Sequence, residues 1–255
     1  MVQLVFGGTW LFLVSLGYRV QVLRVVAIHQ PNFFPWVGYF DKIARSDVFI
    51  FFDHVQFPKT GAGAWCNRVK MLVAGEARWV TAPIRRDFHG VAPINEIEWA
   101  DEQPWRAKLL KTLSASYARA RHYRDTMAWL EPLILQSERN LARYNMAVIR
   151  AIADRIGLRH DHCVTSSSLD GQGQANELLI DLTRKVGGDC YLCGGGAAGY
   201  QDDAAFAAAG LELRYQRFAH PVYAQIGQPD FAPGLSIVDA LMNIGCGGVK
   251  GLLAV

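Results

Sequence analysis

Charge of one sign is scarce in this chain: 26 Lys and Arg stand against 23 Asp and Glu over 255 residues, a formal net charge of +3. The basic residues are interspersed with acids and form no stripe, so the electrostatic footprint of a nucleic-acid binder is missing. Cysteine is sparse as well. Five residues at irregular spacing argue against a disulfide framework and for a reducing, cytoplasmic compartment. Cys190 and Cys193 form a C-x-x-C, but no second pair completes a zinc site, and "DCYLCGGG" reads as a buried strand entering a glycine turn. The G-x-S-x-G elbow, the Walker lysine motif and a G-x-G-x-x-G after the first strand are all missing, which disfavours serine-hydrolase, P-loop and dinucleotide chemistry. His29, Asp53 and His54 match no ligand spacing, so no metal site is assigned, and nothing in the sequence names a cofactor. Internal repeats and low-complexity linkers are absent. One apolar stretch, "LVFGGTWLFLVSLG", lies within residues 1–24; it lacks a basic start and a small-residue cleavage site and is short for a membrane span. Residues 1–24 therefore read as an upstream extension outside the core, with a signal or anchor as the alternative, and no stable membrane insertion is expected.

What is present is a chain with 51% apolar residues, enough for a sizeable core and suited to one domain over residues 25–255. "RVVAIHQ" is a β-branched run bounded by proline and predicts a buried strand ending at His29. After "PNFFPW", the apolar spacing of Val37, Phe40, Ile43 and Ala44 predicts a helix, and "DVFIFFD" a second strand parallel to the first by a right-handed crossover. "HVQFPKTGAGAWCNRVKML", "RWVTAPI" and "INEIEWA" have broken strand character and predict an antiparallel excursion or a long loop. From Pro104 to about Gly157 the pattern is helical, with Pro132 placed to open a new helix. "DHCVTSSSLD", "ANELLIDLTRKVGG" and "CYLCGGG" read as strand, helix and strand, a second βαβ unit. "QDDAAFAAAGLELRYQRF" adds helix and strand, and "PGLSIVDALMNIG" a helix with Ser236 and Asp239 as a capping pair. The expected fold class is α/β: a largely parallel open sheet with flanking helices and a helical insertion in the middle third.

Polar side chains cluster where these strands end, the rim on which open α/β sheets bind ligands. His29, Gln30 and Asn32 follow the first strand before a helix N-terminus, with Pro31 and Pro35 stiffening the turn. Asp53, His54 and Gln56 follow the second strand, and a carboxylate beside a histidine suits acid-base work. Asn67 and Arg68 lie in the excursion beside Trp65. Gly194, Gly195 and Tyr200 belong to "YLCGGGAAGY", where glycine permits close backbone approach. His220, Tyr223 and Gln225 follow the last strand in "FAHPVYAQ". Thr165, Ser166, Ser167 and Ser168 offer hydroxyls as phosphate or sugar contacts, with no activating base identified. His29, Asp53 and His220 are the candidate catalytic groups. Gln30, Asn32, Gln56, Asn67, Arg68, Gly194, Gly195, Tyr200, Tyr223 and Gln225 are candidates for binding substrate.

The segments "IHQPNFFPWVGYFDKIARSDVFIFFDHVQF", "WCNRVK", "YLCGGGAAGY", "FAHPVYAQ" and "PGLSIVDALMNIG", in that order, resemble the WbqC-like protein family from about Val25 onward. That family is found in bacterial O-antigen and other surface-polysaccharide gene clusters. The resemblance implies a role in making or decorating a nucleotide-linked amino sugar but carries no settled reaction; the leading expectation is a transferase that acylates or aminoacylates its amine and takes an acyl or nucleotide donor. His54 here replaces a second acid that the family tends to carry after Asp53, and Cys193 replaces a serine in its glycine turn. Two alternatives stand beside this reading. One is a nucleotidyl- or adenylyl-transferring enzyme, which the first βαβ unit suggests by topology although the HxGH signature is absent; the other is a non-catalytic sugar-nucleotide binding protein.

Overall fold

The computed structural model describes residues 23–58, 64–88, 90–194 and 201–253. Five strands, β1 (Val25–His29), β2 (Val48–Phe51), β5 (Cys163–Thr165), β6 (Cys190–Cys193) and β7 (Glu212–Tyr215), form one sheet in the order β5-β2-β1-β6-β7. Every pairing in it is parallel, with Ala27 facing Phe49 on one side and Leu192 on the other. Counted within this sheet, the order is 3-2-1-4-5, the doubly wound arrangement.

Period-two alternation sorts the strand residues onto two faces. Ala27, Phe49, Phe51 and Leu192 join the core that contains α1 (Val37–Ala44), α4 (Leu141–Arg155) and α7 (Ile237–Gly251). Val26, Ile28, Val48, Ile50, Tyr191 and Cys193 pack on the other face against α5 (Ala175–Lys185) and α6 (Asp203–Ala208). Both faces are covered, which is why the central strands read as continuous apolar runs. Each fully buried phenylalanine, such as Phe49 or Phe51, stabilises by about 1.5–3 kcal/mol.

β3 (Arg68–Val73) and β4 (Glu76–Thr81) make a separate antiparallel hairpin, as expected of the excursion. Its turn residues Ala74 and Gly75 both have positive φ, +52° and +80°, the signature of a two-residue turn whose twist matches the strands. "INEIEWA" is not a strand: Ile94–Glu96 form a single 3₁₀ turn, and only isolated bridges join Ile84 to Trp99 and Glu98 to Asn140.

The helical middle third comprises α2 (Trp105–Tyr117), α3 (Tyr123–Leu135) and α4. Pro132 does not open a helix; it sits inside α3. The ring costs the carbonyl of Ala128 its intrahelical partner, and both residues face solvent, where water satisfies that carbonyl. The next helix opens instead at Asn140, whose side chain accepts from the Arg143 N–H at 3.0 Å. At α7, Ser236 caps by accepting from the Val238 N–H at 3.2 Å. Asp239 completes no capping box, because its carboxylate is turned inward to Tyr117, Tyr223 and Gln225. The connection from β5 through α5 to β6 also differs from a simple βαβ pair: it passes over β2 and β1 and lands on the far side of β1. That jump divides the sheet between β1 and β6.

Candidate functional site

The turn 30–36 after β1 is held from three directions. The Asn145 amide of α4 donates to the carbonyls of Pro31 (2.9 Å) and Cys66 (2.7 Å), tying the turn to the start of the hairpin. Phe33 N–H donates to the Trp65 carbonyl at 2.9 Å. The Ser236 hydroxyl donates to Phe34 O at 2.7 Å, and Ile237 N–H to Pro35 O at 2.9 Å. Phe34 has φ +42°, a strained value for a non-glycine residue that such an over-determined turn can sustain. Gly38, the second residue of α1, lets the Trp36 indole fold back over the helix, since a Cβ there would lie 2.3 Å from the ring.

These constraints shape a pocket of about 300 Å³ lined by His29, Asn32, Trp36, Trp65, His220 and Gly234. Two indoles form its walls, and Trp36 lies against His220 with ring centroids 4.9 Å apart. Hydrogen-bond partners assign the two imidazoles opposite roles. His29 Nδ1 lies 3.2 Å from the Gln30 carbonyl; a carbonyl only accepts, so Nδ1 carries the proton and Nε2 is an acceptor. His220 Nδ1 receives the Gly234 N–H at 3.3 Å, so its Nε2 carries the hydrogen and donates. Burial, then the nearby Lys42 ammonium, lowers the His29 pKa to about 3, opposed by the Gln30 carbonyl. Burial lowers that of His220. The Cys66 thiol, kept protonated by burial, points at Gln30 Oε1 (3.6 Å) and Asn32 Oδ1 (3.9 Å), which leaves the Asn32 NH₂ group for the pocket. No carboxylate lines this pocket.

A model of the WbqC-like protein family matches residues 30–250, a span that takes in every pocket residue except His29. The chain belongs to the WbqC-like protein family. It is 30% identical over 231 residues to the uncharacterized protein Rv1507c of Mycobacterium tuberculosis (strain ATCC 25618 / H37Rv), an alignment covering 88% of this chain and 95% of the other. No solved structure matches it.

In this WbqC-like protein the clusters after β1 and β7 therefore meet, while Asp53, Gln56, Asn67, Arg68, Tyr223 and Gln225 do not line the pocket. Asp53 is buried and caps the 3₁₀ turn after β5. It accepts from Ser166 Oγ (3.0 Å), Ser167 N (2.9 Å) and Ser167 Oγ (2.7 Å). His54 Nδ1 lies 2.6 Å from Ser166 Oγ. The serine's proton is committed to Asp53, so this Asp-His-Ser cluster holds no activated nucleophile. Gln56 is exposed beside a bridge to Pro93. Asn67 donates to the Ala82 carbonyl at 3.0 Å and closes the base of the hairpin. Arg68 donates to Ala64 O at 2.8 Å and lies 4.5 Å over the Trp79 ring, which itself meets Trp65. Tyr223 and Gln225 donate to the buried Asp239 carboxylate at 2.7 and 2.9 Å. Gly194 lies at the end of β6, with Lys42 Nζ 3.6 Å from where its Cβ would be. Gly195 and Tyr200 lie outside the described residues.

Sequence reading missed Trp36, Gly234, Lys42 and Asn145, and did not place Trp65 in a site. Only Trp36, next to the second proline of the turn, carried a local signal. A larger groove of about 590 Å³ runs between β4 and α2, walled by Val80, Pro83, Pro104, Trp105 and Leu109. It lies off the strand ends and brings together no acid-base pair. Among the described residues no three His, Cys, Asp or Glu side chains gather to hold a metal, and no helix is long and apolar enough to cross a membrane.

Proposed function

We propose that this WbqC-like protein is a transferase of bacterial surface-polysaccharide biosynthesis that acylates or aminoacylates the amine of a nucleotide-linked sugar in the His29–His220 pocket. The observation that carries the reading is the pairing of an acceptor, His29 Nε2, with a donor, His220 Nε2–H, in a carboxylate-free cleft between two tryptophans. Indole faces suit the apolar faces of a pyranose, and the Asn32 amide supplies a directional hydrogen bond.

In the reaction the amine lone pair attacks the donor's acyl carbon. The C–N bond forms, the bond to the donor's leaving group breaks, and one amine proton departs. With a pKa near 3, His29 does not store that proton. It accepts the amine N–H as a hydrogen bond and turns the lone pair toward the acyl carbon, while the amine proton passes directly to the departing group. Of the two histidines, His220 takes the donor's part and stabilises the developing oxyanion.

The test is incubation of the pure protein with nucleotide-linked amino sugars and a panel of acyl and aminoacyl donors, followed by mass analysis. His29→Gln should lower kcat about 10²-fold through lost positioning, and His220→Phe about 10²–10³-fold. An unmodified sugar across the panel, or full activity in His29→Gln, sinks the proposal.

A further inference from the structure

One charged group beside the pocket touches none of its lining side chains by a hydrogen bond. Lys42 projects from α1, is 2% exposed, and among the described residues has a single hydrogen-bond partner, the Ile28 carbonyl at 3.4 Å. An ammonium has three protons to place, and a buried cation is retained against its desolvation cost only when something else compensates it. The adjacent Asp41 is not that compensation: its carboxylate accepts from Gln216 at 2.8 Å and faces Arg45 at 3.4 Å.

The position of the ammonium follows from strand geometry. Successive carbonyls of a strand face opposite neighbours. His29 O is taken by Phe52 N–H beyond the end of β2, so the Ile28 carbonyl looks toward β6. Pairing between β1 and β6 runs only to Ala27 and Leu192. Lys42 Nζ therefore occupies the gap where these two strands part, with Gly194 on its far side. The segment after β1 leads to α1 on one face, and the chain after β6 goes to α6 on the other, which makes this gap the switch-point crevice of the sheet. Among the described residues, the titratable groups facing the ammonium are His29 from β1 and Cys193 from β6, and neither is an acid of ordinary strength.

We infer that the gap between β1 and β6 is an anion site, in which Lys42 and the Gly194 backbone hold phosphate oxygens of the nucleotide part of the substrate while the sugar occupies the neighbouring pocket. The inference rests on the reading of that pocket as a sugar-nucleotide site, and assigns the anionic end to Lys42. Burial lowers the Lys42 pKa to about 8, so anion affinity should fall once the amine loses its proton.

Inorganic pyrophosphate is the probe, titrated calorimetrically into the full-length protein. Binding should weaken about tenfold or more between pH 7 and pH 9.5, although pyrophosphate itself gains charge over that range. At pH 7, Lys42→Met should weaken it at least about tenfold and Lys42→Arg by no more than about threefold. A purely structural lysine would lower Tm when replaced; an uncompensated ammonium predicts that Lys42→Met melts at the same temperature or higher. Unchanged affinity in Lys42→Met, a clear loss of its Tm, or no pyrophosphate binding by the native protein each overturns the inference. Acylation of an amino-sugar nucleotide by the native protein, measured separately, shows whether the pocket reading stands when the anion site fails.

Discussion

At the scale of single residues, the side chains that shape the pocket are mostly not those that line it. Asn145 lies in α4, yet its amide holds the carbonyls of Pro31 and Cys66 and so sets where the His29 turn meets the hairpin. Asn145→Ala strands both buried carbonyls, and should destabilise the protein by about 2–4 kcal/mol, read as a lower urea midpoint with an unchanged m-value. Asp239 plays a similar structural part, since three side-chain donors from Tyr117, Tyr223 and Gln225 meet its carboxylate. "FAHPVYAQ" thus contributes His220 to the pocket and two of its other polar groups to an anchor. Polar residues following a strand marked a region rich in hydrogen bonding. Which of them faced a cleft and which faced protein was invisible in one dimension, because Tyr223 and His220 have equally suitable chemistry for either.

At the scale of elements, the turn 30–36 and α1 act as one unit. Gly38→Ala adds helix propensity but places a methyl against the Trp36 ring; the indole must leave the helix face. The expected result is a stability change within about 1 kcal/mol, together with a shift of tryptophan emission and greater acrylamide quenching as the pocket wall moves. α3 offers a contrast, since its Pro132 serves no contact that needs a proline. Pro132→Ala restores an N–H for the Ala128 carbonyl and should raise stability by about 1–3 kcal/mol, measured by thermal unfolding. The sequence rule that proline opens a helix failed here because a solvent-facing helix turn can hydrate an orphaned carbonyl, so a proline inside a helix is costly without being forbidden.

For the whole molecule, a base, His29, and a buried acid, Asp239, shift the pH dependence of stability in opposite senses. The folded His29 pKa is about 3 against an ordinary 6.5. Between those values the unfolded chain binds a proton that the native protein refuses, so stability rises with pH through this window and is lost on acidification, by at most about 1.4 kcal/mol per pH unit. Burial pushes Asp239 upward, which works in the opposite sense just above the usual carboxylate range. The measurement is therefore a difference: His29→Gln should flatten the slope of urea midpoint against pH between about 3 and 6.5 relative to the native protein, which shares Asp239. The parallel sheet, its central strands and the His29 turn were legible in the sequence, since β-branched runs, apolar period and proline placement are local properties that backbone sterics and burial impose directly. Strand order was not, and it decided the site. By placing β6 beside β1, the tertiary structure opened a gap for Lys42, brought His220 to His29, and left Asp53 to cap a turn. Contacts between residues some 190 positions apart depend on which faces the helices cover and where the sheet reverses, and those are settled only when the whole core packs.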